Sequence, residues 1–311
     1  MFYNNKCQSI VFTSSFIILS VCLINTNLIF AAGTFTVNDI AQGMLSTEKS
    51  FKDLYIEYET TWVGWNRPDE PYRVLDGIYA EKKHSSNEIS HPQRYLDRYV
   101  YVIDPKTELV KTEESTQISF NGEVTSVLYR KTEQEDAMKG YLFKNYDPNM
   151  FSTYYMDPHH KIWFYTDETS LADIIIKNKN SFHVESEPDL LDGTSTVKLV
   201  GTFSDGNLTM RLWISPDHNF LPIKRQILQT EGRMLSETAL YDLIELSNGM
   251  WYPRKIMSPA DPPGAPNPAY VMTYTLSNIE VGQISEEFFS PAFPPNTQVY
   301  DDILKMSYTK Y

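Results

Sequence analysis

The sequence predicts an α+β fold, one long antiparallel meander of strands accompanied by a few short helices, and three observations predict it. Stretches with a two-residue apolar period recur from residue 52 almost to the C-terminus, the mark of strands with one wet face. Pairs such as Asn121-Gly122, Asp192-Gly193 and Asn248-Gly249 separate consecutive runs, and these pairs favour tight hairpin turns. Only three segments carry helical spacing of apolar residues, against about ten strand-like runs.

Residues 1–32 stand apart from this pattern. Lys6 is their one charged side chain, residues 9–24 are almost wholly apolar, and the small residues Ala31, Ala32 and Gly33 follow. That order predicts a secretory signal peptide over 1–32, cleaved near Ala32, with a single domain over 33–311. The apolar run is about sixteen residues, short of the roughly twenty that span a bilayer. Both cysteines, Cys7 and Cys22, fall in the leader, so the mature chain is expected to have no disulfide and to depend on its core. The expected location is the periplasm. Lipid attachment at Cys22 is the lesser alternative, because the bulky Val21 precedes it.

The elements follow in order. Residues 36–51 predict a helix: Ile40, Ala41, Met44 and Leu45 recur at helical spacing, and Thr36 or Asn38 can cap it. KDLYIEYETTW (52–62) alternates Leu54, Ile56, Tyr58, Thr60 and Trp62 against a polar set. QISFNGEVTSVLY (117–129) and HVESEPDLLDGTSTVKLVGTF (183–203) read as hairpins around their Asn-Gly and Asp-Gly pairs. NLTMRLWIS (207–215) puts Leu208, Met210, Leu212 and Ile214 on one face, and a corner over Ser215 to Phe220 leads to a strand whose Pro222 predicts a bulge. Three more strands follow, with turns at Gly232 and Asn248-Gly249. Short helices are predicted over 170–178 and 284–289, the second capped by Ser285 with Glu286 and Glu287 in its first turn. Residues 258–270 hold five prolines and predict an extended loop.

Charge and motifs narrow the chemistry. A formal charge of −13 disfavours nucleic acid and anionic membrane surfaces. His159 and His160 are adjacent and the other histidines, His84, His91, His183 and His218, are scattered; solvated loop positions are expected for all six, with no metal site. GxSxG, GxGxxG and GxxxxGK patterns are absent, which excludes the hydrolase and nucleotide-binding classes that use them. The 21 tyrosines suit either an apolar cavity or a sugar-stacking cleft. The residues placed to line a cavity are Leu54, Ile56, Tyr58 and Trp62 on one strand and Leu208, Met210, Leu212 and Ile214 on another, with Trp213 or Trp251 if the faces are reversed. Alternation alone leaves open whether they form a plain core or a ligand wall.

From about residue 37 onward the order of parts resembles the superfamily of LolA/LolB-like periplasmic lipoprotein carriers and receptors, and more closely its long relatives described as outer-membrane lipoprotein-sorting proteins. The resemblance rests on the opening helix running into LYIEYETTW, on QISFNGEVTSVLY, LWISPDHNFLPIKRQ and YDLIELSNGMWYPRKI, and on the ending IEVGQISEEFFSPAFPPNTQVYDD. It implies an open, strongly curved half-barrel with a few helices covering its concave face, holding acyl chains in an apolar cavity. It also implies no catalysis, no cofactor, a lipid or lipidated protein as partner with transient contact to membrane-associated partners, and a monomer. The material around residues 64–94 and 131–182 is extra relative to the carriers. An extracellular glycan-binding or glycan-cleaving protein with an aromatic cleft is the alternative. A scaffold that pairs through a sheet edge comes third, discouraged by Pro222 and Pro253.

Overall fold

A computed structural model describes residues 35–64, 67–82, 93–103, 110–131, 138–145, 157–165, 169–185, 189–203, 206–229, 231–260, 270–290 and 293–311. The expected leader over 1–32, His84, His91 and most of the proline-rich stretch lie outside the described residues. The chain order is α1 (Val37–Ser50), β1 (Asp53–Gly64), β2 (Arg67–Lys82), β3 (Gln93–Ile103), β4 (Val110–Phe120), β5 (Val124–Lys131), β6 (Lys139–Lys144), α2 (Pro158–Trp163) and α3 (Leu171–Lys177). It continues with β7 (Phe182–Val184), β8 (Asp189–Leu191), β9 (Thr194–Phe203), β10 (Leu208–Ser215), β11 (Leu221–Gln229), β12 (Met234–Glu245), β13 (Trp251–Ala260), β14 (Tyr270–Val281), β15 (Gln298–Asp301) and β16 (Met306–Thr309).

These strands form one open, curved sheet in the order β16-β15-β6-β5-β4-β3-β2-β1-β14-β13-β12-β11-β10-β9-β7, with β8 paired to β9. Nearly every neighbour is antiparallel, as expected of a meander, with one correction: β15 runs parallel to β6, which makes the sheet mixed. A second correction concerns number. Sixteen strands are present among the described residues, more than the periodicity suggested: β2, β3, β6, β15 and β16 sit in segments that alternation did not mark, and the run before Asp192-Gly193 divides into β7 and β8.

Local chemistry accounts for the boundaries. Thr36 and Asp39 form a reciprocal capping box at the start of α1. At Asp192-Gly193 both residues have positive φ, +48° and +81°, the type I′ geometry matching strand twist. At the β4–β5 turn the central pair is shifted by one residue. Asn121 accepts from the backbone N–H groups of Glu123 and Val124 through Oδ1 (3.0 and 2.9 Å), and Gly122 alone takes positive φ. Pro222 adjoins a bulge in the β10–β11 ladder, as predicted. Pro253 lies where β13 is bonded to β12 but not yet to β14, so its missing N–H costs no ladder bond on that side. Residues 258–260 belong to β13 rather than to a loop, and 286–289 form a 3-10 helix rather than an α-helix.

The three helices pack on one face of the sheet, and their apolar residues join those of the strands in a single core. Helix α1 rests on the corner between β10 and β11. The Phe220 ring lies against Gly43, where an added Cβ would fall 2.4 Å from it, and the Thr47 hydroxyl donates to the Asn219 carbonyl. Asn219 and Phe220 both adopt left-handed backbone conformations to make that contact, and Asn219 Oδ1 accepts from Trp251 N at 3.2 Å.

A similar fit occurs inside the sheet. Tyr58 is paired with Gly77, and a Cβ on Gly77 would come within 2.4 Å of its ring. We expect Gly77→Ala to cost about 1–3 kcal/mol through overpacking. Urea unfolding of Gly77→Ala, Tyr58→Ala and the double variant checks this: the penalty at Gly77 should shrink when Tyr58 is truncated, and additive costs would refute the contact.

Candidate functional site

The inward face of β1 begins the site. Leu54, Ile56, Tyr58, Thr60 and Trp62 are buried while the residues between them are half-buried or exposed, so the two-residue period of the sequence is the burial period of the strand. On β10, Met210, Leu212 and Ile214 are fully buried on the same face, and Leu208 packs half-buried at its rim. The structure therefore brings eight of the nine candidate lining residues to one apolar face. Trp251 is not among them; its half-buried ring meets His218 edge-on at 4.5 Å. Trp213 points to the other face, with its Nε1 donating to Asp189 at 2.8 Å and the ammonium groups of Lys198 and Lys224 near its ring.

The covers are α1, α2 and α3. Phe51, at the end of α1, is the aromatic junction: its ring centroid lies 5.4 Å from Tyr252, 5.8 Å from His159 and 6.0 Å from Trp163. His159 corrects the expectation of solvated loop histidines. It is fully buried on α2, stacked on Tyr79 and on Tyr252, and its Nδ1 lies 3.3 Å from the Tyr252 hydroxyl. The signal for this helix was Asp157-Pro158, a capping acid followed by proline at the first helical position. Asp157 accepts from His159 N at 2.8 Å and pairs with His160 Nδ1. Burial, with the Asp157 charge next in size, pushes the Tyr58, Tyr79 and Tyr252 hydroxyls far above the usual phenol range, so they stay neutral donors.

Polar atoms on this face were not marked by alternation. Glu81 is buried between partners, accepting from Tyr79 Oη at 2.6 Å and from Arg94 Nε at 2.9 Å. Arg225 turns inward from β11 and donates to the Phe164 carbonyl (2.6 Å) at the end of α2 and to Thr238 Oγ1 (3.2 Å). Its sequence neighbour Lys224 turns outward to Glu237, so the basic pair divides between the faces. Buried atoms on or against the inner face with no hydrogen-bond partner among the described residues include Tyr58 Oη, Thr60 Oγ1, Trp163 Nε1 and Arg225 Nε. No group of three or more histidines, cysteines or carboxylates is placed to hold a metal, and no helix is long and apolar enough to cross a membrane, among the described residues.

No protein-family model matches the sequence, and no curated protein matches it either. Several solved structures are similar in outline. One is a domain described as an outer membrane lipoprotein-sorting protein from Vibrio parahaemolyticus, 11% identical, covering 81% of this chain and 95% of that one with a TM-score of 0.43. A DUF1329 family protein from Desulfovibrio piger is 14% identical over 82% and 95%, TM-score 0.42. A LolA superfamily protein from Nitrosomonas europaea is 11% identical over 83% and 98%, TM-score 0.37.

Lys161, in the last turn of α2, is a pH probe of the cover. Burial, and secondarily the Arg225 charge, brings its amine down to about 7 from 10.5. Between those values the unfolded chain holds a proton that the folded chain does not, so this group makes stability rise with pH from about 7 upward. Below about 7 it is charged in both states and contributes no slope. Denaturant unfolding at pH 7, 8 and 9 should show a rise that Lys161→Met flattens; equal slopes in the two proteins would overturn the assignment.

Proposed function

We propose that the protein is an exported carrier-like protein that holds a lipid, or the acyl chains of a lipid-modified partner, against the inner face of its half-barrel. The leader over 1–32 directs it across the inner membrane to the periplasm, where the single domain over 33–311 acts as a non-enzymatic monomer and meets membrane-associated partners transiently.

The observation that carries this is the chemistry of the covered face. It is an apolar wall of aliphatic and aromatic side chains into which Tyr58 Oη, Thr60 Oγ1 and Trp163 Nε1 present buried donors with no acceptor among the described residues. A buried donor left unpaired costs about 1–3 kcal/mol. A lipid supplies both missing parts, because its ester or amide carbonyls accept hydrogen bonds while its chains replace apolar side chains. Hydrophobic contact is non-directional, so an acyl chain can take the place of side chains on α1, α2 or α3 without specific geometry being lost. The candidate wall is Leu54, Ile56, Tyr58, Trp62, Leu208, Met210, Leu212 and Ile214.

Native mass spectrometry of protein purified from whole-cell extract should detect co-purifying acyl species. After delipidation, a pyrene-labelled diacylglycerol should bind. Tyr58→Phe separates this reading from a dry core. It should leave stability equal or higher, by removing an unpaired donor, and weaken the diacylglycerol probe several-fold. Neither co-purifying lipid nor probe binding would sink the proposal.

A further inference from the structure

The opposite face of the sheet carries a cavity, independent of the proposed lipid wall. The 3-10 segment Glu286–Phe289 folds back over the outward face of β3, β4 and β5 and shapes a partly open cavity of about 260 Å³. The floor is mostly polar: Gln117, Ser119 and Ser126 point outward from β4 and β5 beside one apolar side chain, Leu128, and the two serines are nearly fully buried. The roof is aromatic, made by Phe288 and Phe293.

Both parts are held in place. Lys82 pairs with Glu286 to fasten the segment, and Phe289 is buried. Phe288 lies between the Tyr55 and Tyr95 rings, at 5.5 and 5.2 Å. Phe293 sits on Gly140, where a Cβ would fall 2.8 Å from its ring. On the floor, Ser119 and Ser126 share one hydrogen bond of 2.6 Å, which spends only one of their two hydroxyl protons. Gln117 uses its amide nitrogen on Asp97 at 2.8 Å, leaving its carbonyl to accept. The cavity thus offers an unspent donor and acceptors along one wall and fixed aromatic faces along the other.

We propose that this cavity binds a neutral saccharide. A pyranose ring has that same division, with C–H faces that stack on aromatic rings and an edge of hydroxyls that both donate and accept. Charge selects among sugars: among the described residues no Lys or Arg lines the cavity, and Glu287 stands at its rim, which disfavours phosphorylated or acidic ligands. A second opening of about 370 Å³, lined by Tyr55, Glu57, Asn278, Glu280 and Gln283, lies on the other side of Phe288 and shares that ring. The ligand is therefore a chain of sugar units passing across Phe288.

Saturation-transfer NMR and calorimetry on the full chain, with maltohexaose, cellohexaose, laminarihexaose, chitohexaose and mannohexaose as probes, test this. At least one hexasaccharide should bind; Phe288→Ala should weaken it at least tenfold and Ser126→Ala several-fold, with pyrene-diacylglycerol binding unchanged in both. Ser126→Ala decides the matter if Phe288→Ala fails to fold. Binding to none of the five, binding indifferent to Ser126→Ala, or preference for glucose 6-phosphate over glucose would overturn the proposal.

Discussion

The inner face of the sheet imposes the constraint on which the rest of the structure depends. Strands β1, β2, β14, β13, β11 and β10 all turn apolar residues the same way, and only three helices of 14, 6 and 7 residues are available among the described residues to keep water off them. Isolated helices as short as α2 and α3 are unstable in water. They persist because the wall beneath them is apolar, and the wall stays dry because they cover it. Each therefore owes its stability to the other, and large rings such as Phe51, Trp163, Tyr79 and Tyr252 meet at the seam.

Directional contacts fix where this otherwise non-specific burial settles. The corner at Asn219 and Phe220 places two residues in left-handed conformations, a local cost offset by seating α1 through Gly43 and Thr47 and by holding the start of β13 through Trp251 N. Arg225 performs the same service for α2, whose last turn leaves the Phe164 carbonyl to be satisfied. A cation at a helix C-terminus is favourable, but burial brings the Arg225 guanidinium down to about 10, so the contact is won against desolvation. Thus the packing sets how much surface is buried, and a few polar contacts set which helix lies on which strand.

Much of this was legible in the sequence, and the reason is physical. Alternation in β1 and β10 is a direct record of which side chains face the core, so eight of the nine residues it named share one face. The corner at 215–220 and the bulge at Pro222 were legible because proline and positive-φ positions constrain backbone without help from tertiary structure. What was not legible depended on distant partners. Nothing within YMDPHHKIW says that Tyr79 and Tyr252 will stack on His159, and a histidine beside a turn signal is more often wet. Nor does local sequence show that Glu81 and Arg94, from different strands, will satisfy each other in the interior. The parallel pairing of β15 with β6 is of the same kind, since it follows from where the C-terminal segment returns rather than from its own residues.

The two faces of the sheet consequently differ in what they can recognise. Alternation places an apolar set inward and a polar set outward on the same strands, so β3, with Leu96 and Val100 inward, presents Tyr95 and Asp97 outward. The inward set can discriminate only by shape and by its few buried donors, which suits a ligand whose bulk is hydrocarbon. The outward set is rich in hydroxyls and carboxylates and would ordinarily face solvent. Around Ser119 and Ser126 it does not, because the 286–289 segment lays Phe288 across that part of the face. A polar surface roofed by an aromatic ring loses water without gaining protein partners for all of its hydrogen-bonding groups. One sheet therefore carries two chemically opposite surfaces, and the C-terminal segment, not the meander itself, creates the second.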